Sequence, residues 1–264
     1  NKKVFNMEVS TDTCELVFWQ NALFSKWTIE AELTKLAGEY DLNFLAKCKS
    51  GKGFILKVMR TDCPKWLVEV QIQALDHVHK KIENAPIPRF IASSKGAGFE
   101  LIHDQFGNPR LVWVLEEILG QCYADTTLKT EQLAYAVGVA LARLAKALRS
   151  FKKKCLYRDF KWNLMQGSWI AEKLTCIEEP NRHTSILRIL QEFNEIELDL
   201  EDLEQQVIHN DANDYNILIK GTLSEKRTIS GIIDFGDICI APRICDLAIA
   251  AAYIVLDHPN PQQM

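Results

Sequence analysis

Two short loops in the last quarter of the sequence carry the side chains best suited to chemistry. Residues 209–216 (HNDANDYN) place an aspartate and an asparagine five positions apart, between two short apolar stretches predicted as strands. The tripeptide 234–236 (DFG) follows another apolar stretch, eighteen residues after that asparagine. The spacing HxDxxxxN followed by DFG is typical of phosphoryl transfer, because that reaction needs a carboxylate for a hydroxyl proton and hard oxygen ligands for Mg²⁺.

The order of these residues gives each of them a role. We predict that Asp211 is the catalytic base, which orients the acceptor hydroxyl and accepts its proton, and that Asn216 and Asp234 are the ligands of Mg²⁺. The alternative is a chance loop followed by a turn with a capping aspartate, since Asp, Asn and Gly are ordinary turn residues. The order of the two motifs and their flanking β-branched residues favour the functional interpretation.

The composition excludes several other classes of protein. The 264 residues are 47% hydrophobic and 25% charged, which is average for a folded chain. A net charge of -4 argues against a dedicated nucleic-acid binder, and the longest apolar stretch, 247–256, is too short to span a membrane. The eight cysteines include no CxxC pair, which predicts free thiols in a reducing, cytoplasmic compartment.

Hydrophobic periodicity predicts an α+β fold of two lobes, residues 1–118 and residues 119–264, which hold a ligand between them. The first lobe is predicted as strands and turns with one helix: a β-hairpin at 43–59, a helix at 67–82 after Pro64, and strands at 87–92, 99–103 and 111–115. The second lobe is mostly helical: helices at 130–151, 183–194 and after Asp246, an irregular stretch at 162–177, and short strands at 207–208, 217–219 and 229–233.

With these motifs in this order, the sequence resembles the aminoglycoside phosphotransferase-like kinases over residues 33–253. Within that family it is most similar to the hydroxylysine kinase group and to kinase domains fused to class III aminotransferases, on the segments 36–44 (LAGEYDLNF) and 209–218. The resemblance implies a bilobal protein-kinase-like fold, with a β-rich N-terminal nucleotide-binding lobe and a mainly helical C-terminal lobe for catalysis and substrate.

The resemblance also implies the residues that bind the nucleotide in the first lobe. Lys57 would hold the α- and β-phosphates, with Glu69 on the following helix as its partner. The loop that would cover the phosphates has one glycine, and its binding positions would be Gly38, Glu39, Asp41 and Asn43. The linker between the lobes would meet the purine edge at Glu116 and Ile118.

The acceptor is predicted to be a small molecule. Asp246 follows Gly236 by only ten positions, which leaves no room for the regulated activation segment of a protein kinase. The resemblance implies transfer from ATP or GTP to a hydroxyl of an amine or amino acid, with 5-hydroxylysine first and homoserine, choline, ethanolamine or an aminoglycoside as alternatives. The early end of the chain predicts a truncated second lobe or a module of a larger polypeptide. A catalytically silent kinase-like domain is a separate alternative, and the intact Lys57, Asp211, Asn216 and Asp234 argue against it.

Three further residues near the loops receive predictions. The resemblance implies that Asp246 braces the catalytic loop; its position also fits a helix N-cap, and both roles could hold together. Asn210 lies where many members of the family it resembles have Gly, which implies a left-handed backbone that Asn tolerates better than most residues. Trp162 either packs in the core or faces the substrate.

Overall fold

The computed structural model describes residues 11–222 and 226–256, which fall into two compact units. The first unit contains residues up to Leu75 together with Pro88–Ile118, and the second contains Asp76–Ile87 and the chain from Leu119 onward. The outer ends of the predicted lobes, 1–10 and 257–264, lie outside the described residues.

The first unit is built on an antiparallel sheet with the strand order β1-β2-β3-β6-β4, and β5 pairs with β6. Its strands are β1 (Glu32–Leu36), β2 (Leu42–Lys47), β3 (Gly53–Val58), β4 (Phe90–Ile91), β5 (Glu100–His103) and β6 (Pro109–Glu116). The predicted hairpin at 43–59 is confirmed as β2 and β3. Phe44, Leu56 and Val114 are fully buried in the core of this unit.

A helix that the sequence analysis missed, α1 (Thr11–Trp27), covers this core. Trp19, Leu23 and Trp27 are buried at helical spacing and pack in the same cluster as the strands. Val17 and Phe24 are apolar but half exposed, at 49% and 55%. Apolar residues on both faces of the helix weaken the helical periodicity, which explains why the first third was predicted to contain only one helix.

The helix predicted after Pro64 is confirmed as α2 (Lys65–Lys81), and its two halves belong to different units. Residues 76–87 cluster with the second unit, although the predicted first lobe includes them. The reason lies in two contacts: His77 Nε2 is 3.0 Å from the carbonyl oxygen of Ala147, and the N–H of Ile232 donates to the carbonyl of Pro86.

The second unit is mainly helical, with two small antiparallel sheets of order β10-β9-β7 and β11-β8. Its helices are α3 (Glu131–Leu148), α4 (Pro180–Glu201) and α5 (Ile244–Ile254), and its strands are β7 (Gln121–Cys122), β8 (Gln205–Ile208), β9 (Ile217–Lys220), β10 (Thr228–Ile232) and β11 (Cys239–Pro242). The predicted helices at 130–151 and 183–194 are confirmed as α3 and α4, and the α+β class is confirmed.

Two local features of this unit differ from what the sequence predicts. Residues 164–176, predicted as irregular, form 3₁₀ turns that kink at Gln166. Residues 239–242, for which no strand was predicted, form β11 against β8, so a four-residue strand fits between the DFG tripeptide and α5. Among the described residues, no helix is both long and apolar enough to cross a membrane.

Candidate active site

The loop between β8 and β9 holds Asp211 through two asparagine side chains. Asn213 Nδ2 donates to Asp211 Oδ1 at 2.7 Å, and Asn216 Nδ2 donates to Asp211 Oδ2 at 2.7 Å. Asn213 Oδ1 in turn accepts from the backbone N–H groups of Tyr215 and Asn216, closing an Asx-type turn. The carboxylate of Asp211 is therefore fixed by its own loop in one orientation.

Asp246 fixes the start of this loop from α5. Its two carboxylate oxygens accept from the backbone N–H groups of His209 and Asn210, at 3.0 and 2.7 Å. Asp246 is 4% exposed and lies inside the first turn of α5, whose N-cap is Arg243. The bracing interpretation of Asp246 is confirmed, and the capping interpretation was wrong.

The backbone turns sharply at Asn210, as predicted. Its φ of 65° lies in the left-handed region. The side chain of Asn210 also makes a hydrogen bond: its Nδ2 donates to the carbonyl oxygen of Trp162 at 3.0 Å. Asn210 thus joins the catalytic loop to the segment around Trp162.

His209 connects the two chemistry-bearing loops from the interior. Its Nε2 lies 3.0 Å from the carbonyl oxygen of Ile233, and its Nδ1 accepts from the N–H of Asp211. The ring is completely buried and packs edge-on against Phe235, with centroids 4.7 Å apart. Burial lowers the pKa of His209 despite the nearby Asp246 and Asp234, so the ring is a neutral structural link at physiological pH.

Asp211 lies among other carboxylates. Burial is the largest cause that raises its pKa, and repulsion from Asp237 and Asp234 raises it further. The hydrogen bonds from Asn213 and Asn216 lower the pKa and oppose this shift. The net effect raises the pKa of Asp211 to about 7. A carboxyl group with a pKa near neutrality can both accept and release a proton, which suits a general base.

The DFG tripeptide forms a tight turn behind Asp211. Asp234 has a left-handed φ of 61°, and its Oδ1 accepts from the N–H of Gly236. Arg158, far away in the sequence, donates from Nη1 to the carbonyl oxygens of Gly236 and Ile238, each at 2.9 Å. The backbone of Ile233 bonds to the carbonyl of Asn216, so the two loops are directly connected.

The donor set of these loops fits a Mg²⁺ ion that is shared with a phosphate-bearing ligand. Asn216 uses its amide nitrogen on Asp211, so the atom of that side chain that could ligate a cation is its amide oxygen. Among the described residues, no three His, Cys, Asp or Glu side chains converge on a metal position. Mg²⁺ needs no such cage, because it keeps several waters and binds through one or two protein oxygens together with phosphates.

The predicted phosphate-binding residues of the first unit lie on β2, β3 and the turn before β2. Lys57 is 7% exposed near the end of β3, where it pairs in register with Asn43. Asn43 Oδ1 is buried and accepts no hydrogen bond among the described residues. An added Cβ at Gly38 would lie 2.5 Å from the carbonyl oxygen of Asp41, so only glycine allows this close approach of the loop.

The other predicted nucleotide-binding residues lie around the same sheet. Glu39 is exposed in the turn before β2, and Asp41 Oδ1 accepts from the backbone N–H of Arg60 at 2.7 Å. Glu69 lies half-buried on α2 and forms an ion pair with Lys65 at 3.1 Å, and its predicted partnership with Lys57 stays a prediction.

The predicted purine-facing residues end the first unit. Glu116 terminates β6, where its N–H donates to the carbonyl of Arg89 at 2.8 Å. Ile118 is the last residue of this unit and is half-buried.

Two residues that hold these loops were not predicted from the sequence: Asn213 and Arg158. Asn213 follows Asp211 by two positions, a spacing that permits an Asx turn, so this signal was present in the sequence. Arg158 acts on residues 78 and 80 positions away, and no local pattern could have identified it.

The fold and the two loops define a phosphotransferase. The chain belongs to the Phosphotransferase enzyme family, whose model matches residues 32–263. It is 25% identical over 255 residues to hydroxylysine kinase of Mus musculus, in an alignment that covers 89% of this chain and 67% of that protein. The chain spans 38% to 67% of the length of the four curated relatives it matches.

Two solved structures have the same fold. A microcompartment-associated aminopropanol kinase is 19% identical, with a TM-score of 0.68 over 94% of this chain and 77% of that one. Amicoumacin kinase hAmiN, in complex with AMP-PNP, Ca²⁺ and Ami, is 18% identical, with a TM-score of 0.62 over 85% of this chain and 64% of that one. The predicted kinase-like fold is therefore confirmed.

Proposed function

We propose that this chain is a small-molecule kinase that transfers the γ-phosphoryl group of ATP or GTP to a hydroxyl of an amine or amino acid, with 5-hydroxylysine as the first candidate. One observation carries the proposal: Asp211 is held by two amide groups, has a pKa near 7, and lies beside Asp234 and Asp237. The family membership and the names of the curated relatives support the same conclusion.

In the proposed reaction, Asp211 accepts a hydrogen bond from the acceptor hydroxyl and takes its proton as the oxygen attacks the γ-phosphorus. The bond from the γ-phosphorus to the β,γ-bridging oxygen breaks, and ADP or GDP leaves with that oxygen. Asn216 and Asp234 would hold Mg²⁺ through their side-chain oxygens. When bound, Mg²⁺ would neutralise phosphate charge and align the transferring group. Asp246 and Arg158 keep the backbone of the two loops in place.

The first unit would bind the nucleotide. Lys57 would contact the α- and β-phosphates with Glu69 as its partner, and the turn with Gly38, Glu39, Asp41 and Asn43 would cover the phosphates. The purine would meet the backbone at Glu116 and Ile118. The buried, unsatisfied amide oxygen of Asn43 beside Lys57 supports a ligand at this position.

The test is a screen of acceptors with ATP and GTP, each in the presence of Mg²⁺. The panel contains 5-hydroxylysine, homoserine, ethanolamine, choline and an aminoglycoside, and phosphorylated product is measured directly. We expect acceptor-dependent turnover that is lost when Mg²⁺ is chelated. Asp199→Asn, an exposed change on α4, is the matched control and should keep the wild-type rate. No product from any acceptor with either nucleotide would refute the proposal.

A further inference from the structure

The strand β5 lies at one edge of the sheet in the first unit. It pairs antiparallel with β6, and among the described residues no second strand pairs with it. On β6, the carbonyl oxygen of Leu111 accepts from the N–H of Met59 at 2.9 Å, so Leu111 directs its backbone groups toward the end of β3. Leu101 lies directly opposite Leu111, and its own backbone groups therefore point away from β6.

The outward backbone groups of β5 have no partner within the fold. Because these directions alternate along a strand, His103 also faces outward, whereas Glu100 and Ile102 bond to β6. In the part of the chain that the structure describes, no residue outside β6 hydrogen-bonds to the backbone of Leu101 or His103. An extended edge with unpaired N–H and C=O groups is a template for the addition of another β-strand.

The side chains of β5 leave this edge open. The strand contains neither Lys nor Pro, and its pairing with β6 has no register shift, although these are the devices that commonly prevent edge pairing. Leu101 is 58% exposed, and Phe106, at the tip of the hairpin between β5 and β6, is 78% exposed. At the opposite edge of the sheet, Lys35 of β1 forms an ion pair with Glu15 of α1 at 2.8 Å. The edge available to another strand is therefore β5.

The sequence around β5 is complementary to itself. In an antiparallel pairing about a two-fold axis at Leu101, that residue lies opposite its own copy and Glu100 lies opposite Ile102, so no like charges face each other. Phe106, five positions after Leu101, would lie near residues 96–98 of the other copy, which are Gly, Ala and Gly. Among the described residues, a Cβ added at Gly96 would have no neighbour within 4 Å, so this loop leaves space for an aromatic ring.

We infer that β5 is the interface of a symmetric homodimer, in which the two copies of β5 pair antiparallel about Leu101 and join the sheets of two first units into one. In this register, Leu101 exchanges two N–H···O bonds with its own copy, and the N–H of His103 faces Phe99 of the other copy. The strand has four residues, so the interface is at the small end of specific contacts, and we expect a Kd of about 10 to 100 µM. The dimer is independent of the proposed function, because it assigns an interaction surface and no step of the reaction.

Sedimentation velocity and hydrogen exchange on the full chain test the inference. Between about 1 and 500 µM, the wild type should change from monomer to dimer. Exchange resolved to single amides by fragmentation mass spectrometry should slow by at least about threefold at Leu101 and His103 over this range. The amides of Glu100 and Ile102 already bond to β6 and should change by less than about 1.5-fold. A dimer formed through any other surface would not produce this alternating protection.

Single substitutions make the test specific. Leu101→Lys adds a charge at the edge without entering the core and should raise the Kd at least about tenfold, and Phe106→Ser should raise it by less. Leu36→Lys, the same change at an exposed leucine of β1, is the matched control and should keep the wild-type Kd. The inference is overturned if the wild type stays monomeric at the highest concentration, which would leave the edge to a strand of another protein. It is also overturned if folded Leu101→Lys dimerises like the wild type, or if a wild-type dimer lacks the added protection at Leu101 and His103.

Discussion

Each unit contains an aspartate held by a tight turn, and the two turns shift the pKa of their aspartates in opposite directions. In the turn between β5 and β6, Asp104 accepts from the backbone N–H groups of Phe106 and Asn108, and Arg110 Nε donates to it at 3.1 Å. In the loop between β8 and β9, Asp211 accepts from two neutral amides and faces other carboxylates. Asp104 binds a cation, Arg110, of its own hairpin, whereas Asp211 is repelled by the negative charges of Asp237 and Asp234.

The ionisation of the two groups follows from this difference. Burial works against the charge of Asp104, but hydrogen bonds from Asn108, Arg110 and Phe106 outweigh it, and its pKa is lowered. Burial, with Asp237 and Asp234, raises the pKa of Asp211 to about 7. The negative charge of Asp104 is already balanced by Arg110 and backbone N–H groups of the fold. The negative charge of Asp211 has no such partner in its loop, so a bound proton or a cation from outside would stabilise it.

The largest expected effect is on turnover. Asp211→Asn should lower kcat about 1000-fold, because the amide cannot accept the hydroxyl proton, while the Kd for AMP-PNP changes less than about threefold. Asp104→Asn is the matched change in the other turn and should leave kcat of the folded protein within about twofold. Steady-state kinetics and calorimetry measure both. A wild-type kcat for Asp211→Asn would show that Asp211 is not the catalytic base, so that the two aspartates would not differ in function.

Local order in the sequence explains which parts of the site could be predicted. Asp211, Asn216 and Asp234 lie in short motifs whose spacing alone indicates chemistry, and the loop between β8 and β9 brings Asp211 and Asn216 into contact as that spacing requires. The bracing aspartate, Asp246, could be predicted as one of two alternatives. The nucleotide roles of the first unit came from resemblance and remain proposals.

The parts that could not be predicted depend on contacts distant in sequence. Arg158 donates to carbonyl groups about 80 residues away in the sequence. The strand β11 forms because its backbone hydrogen-bonds to β8, which lies about 30 residues earlier in the chain. In α1, the buried stripe of Trp19, Leu23 and Trp27 is masked by exposed apolar neighbours. Each of these features is determined by tertiary packing, which local periodicity does not record.

The second expected effect is on stability. Asp104→Ala should lower the free energy of unfolding by about 1 to 2 kcal/mol, because Arg110 and two backbone N–H groups lose their acceptor. The pKa of Asp104 is lowered, so its contribution is present above the ordinary value of 3.8 and is lost as pH falls through the folded value. Urea unfolding at pH 7 and pH 3 should therefore show a smaller difference from wild type in acid.

Asp211→Ala is the matching change in the other turn. At neutral pH its effect on the free energy of unfolding should not be the loss expected for Asp104→Ala. The raised pKa means that ionising Asp211 costs folding free energy as pH rises from 3.8 to about 7. Its removal should leave the free energy of unfolding at pH 8 unchanged or increased, in the absence of Mg²⁺. A loss as large as that of Asp104→Ala at pH 8 would contradict the contrast between the two turns.

The smallest effect concerns Asn213, which stabilises the ionised form of Asp211. Wild-type kcat should fall about tenfold per pH unit below the pKa of about 7, because the base must be ionised. Asn213→Ala removes the 2.7 Å hydrogen bond and should move this acidic limb to higher pH, with kcat about tenfold lower at pH 6 and nearer to wild type at pH 9. Asn108→Ala, which removes the corresponding amide beside Asp104, should leave the pH profile in place. If Asn213→Ala instead lowers kcat equally at all pH values, Asn213 acts on loop geometry alone, and the link between its hydrogen bond and the ionisation of Asp211 is wrong.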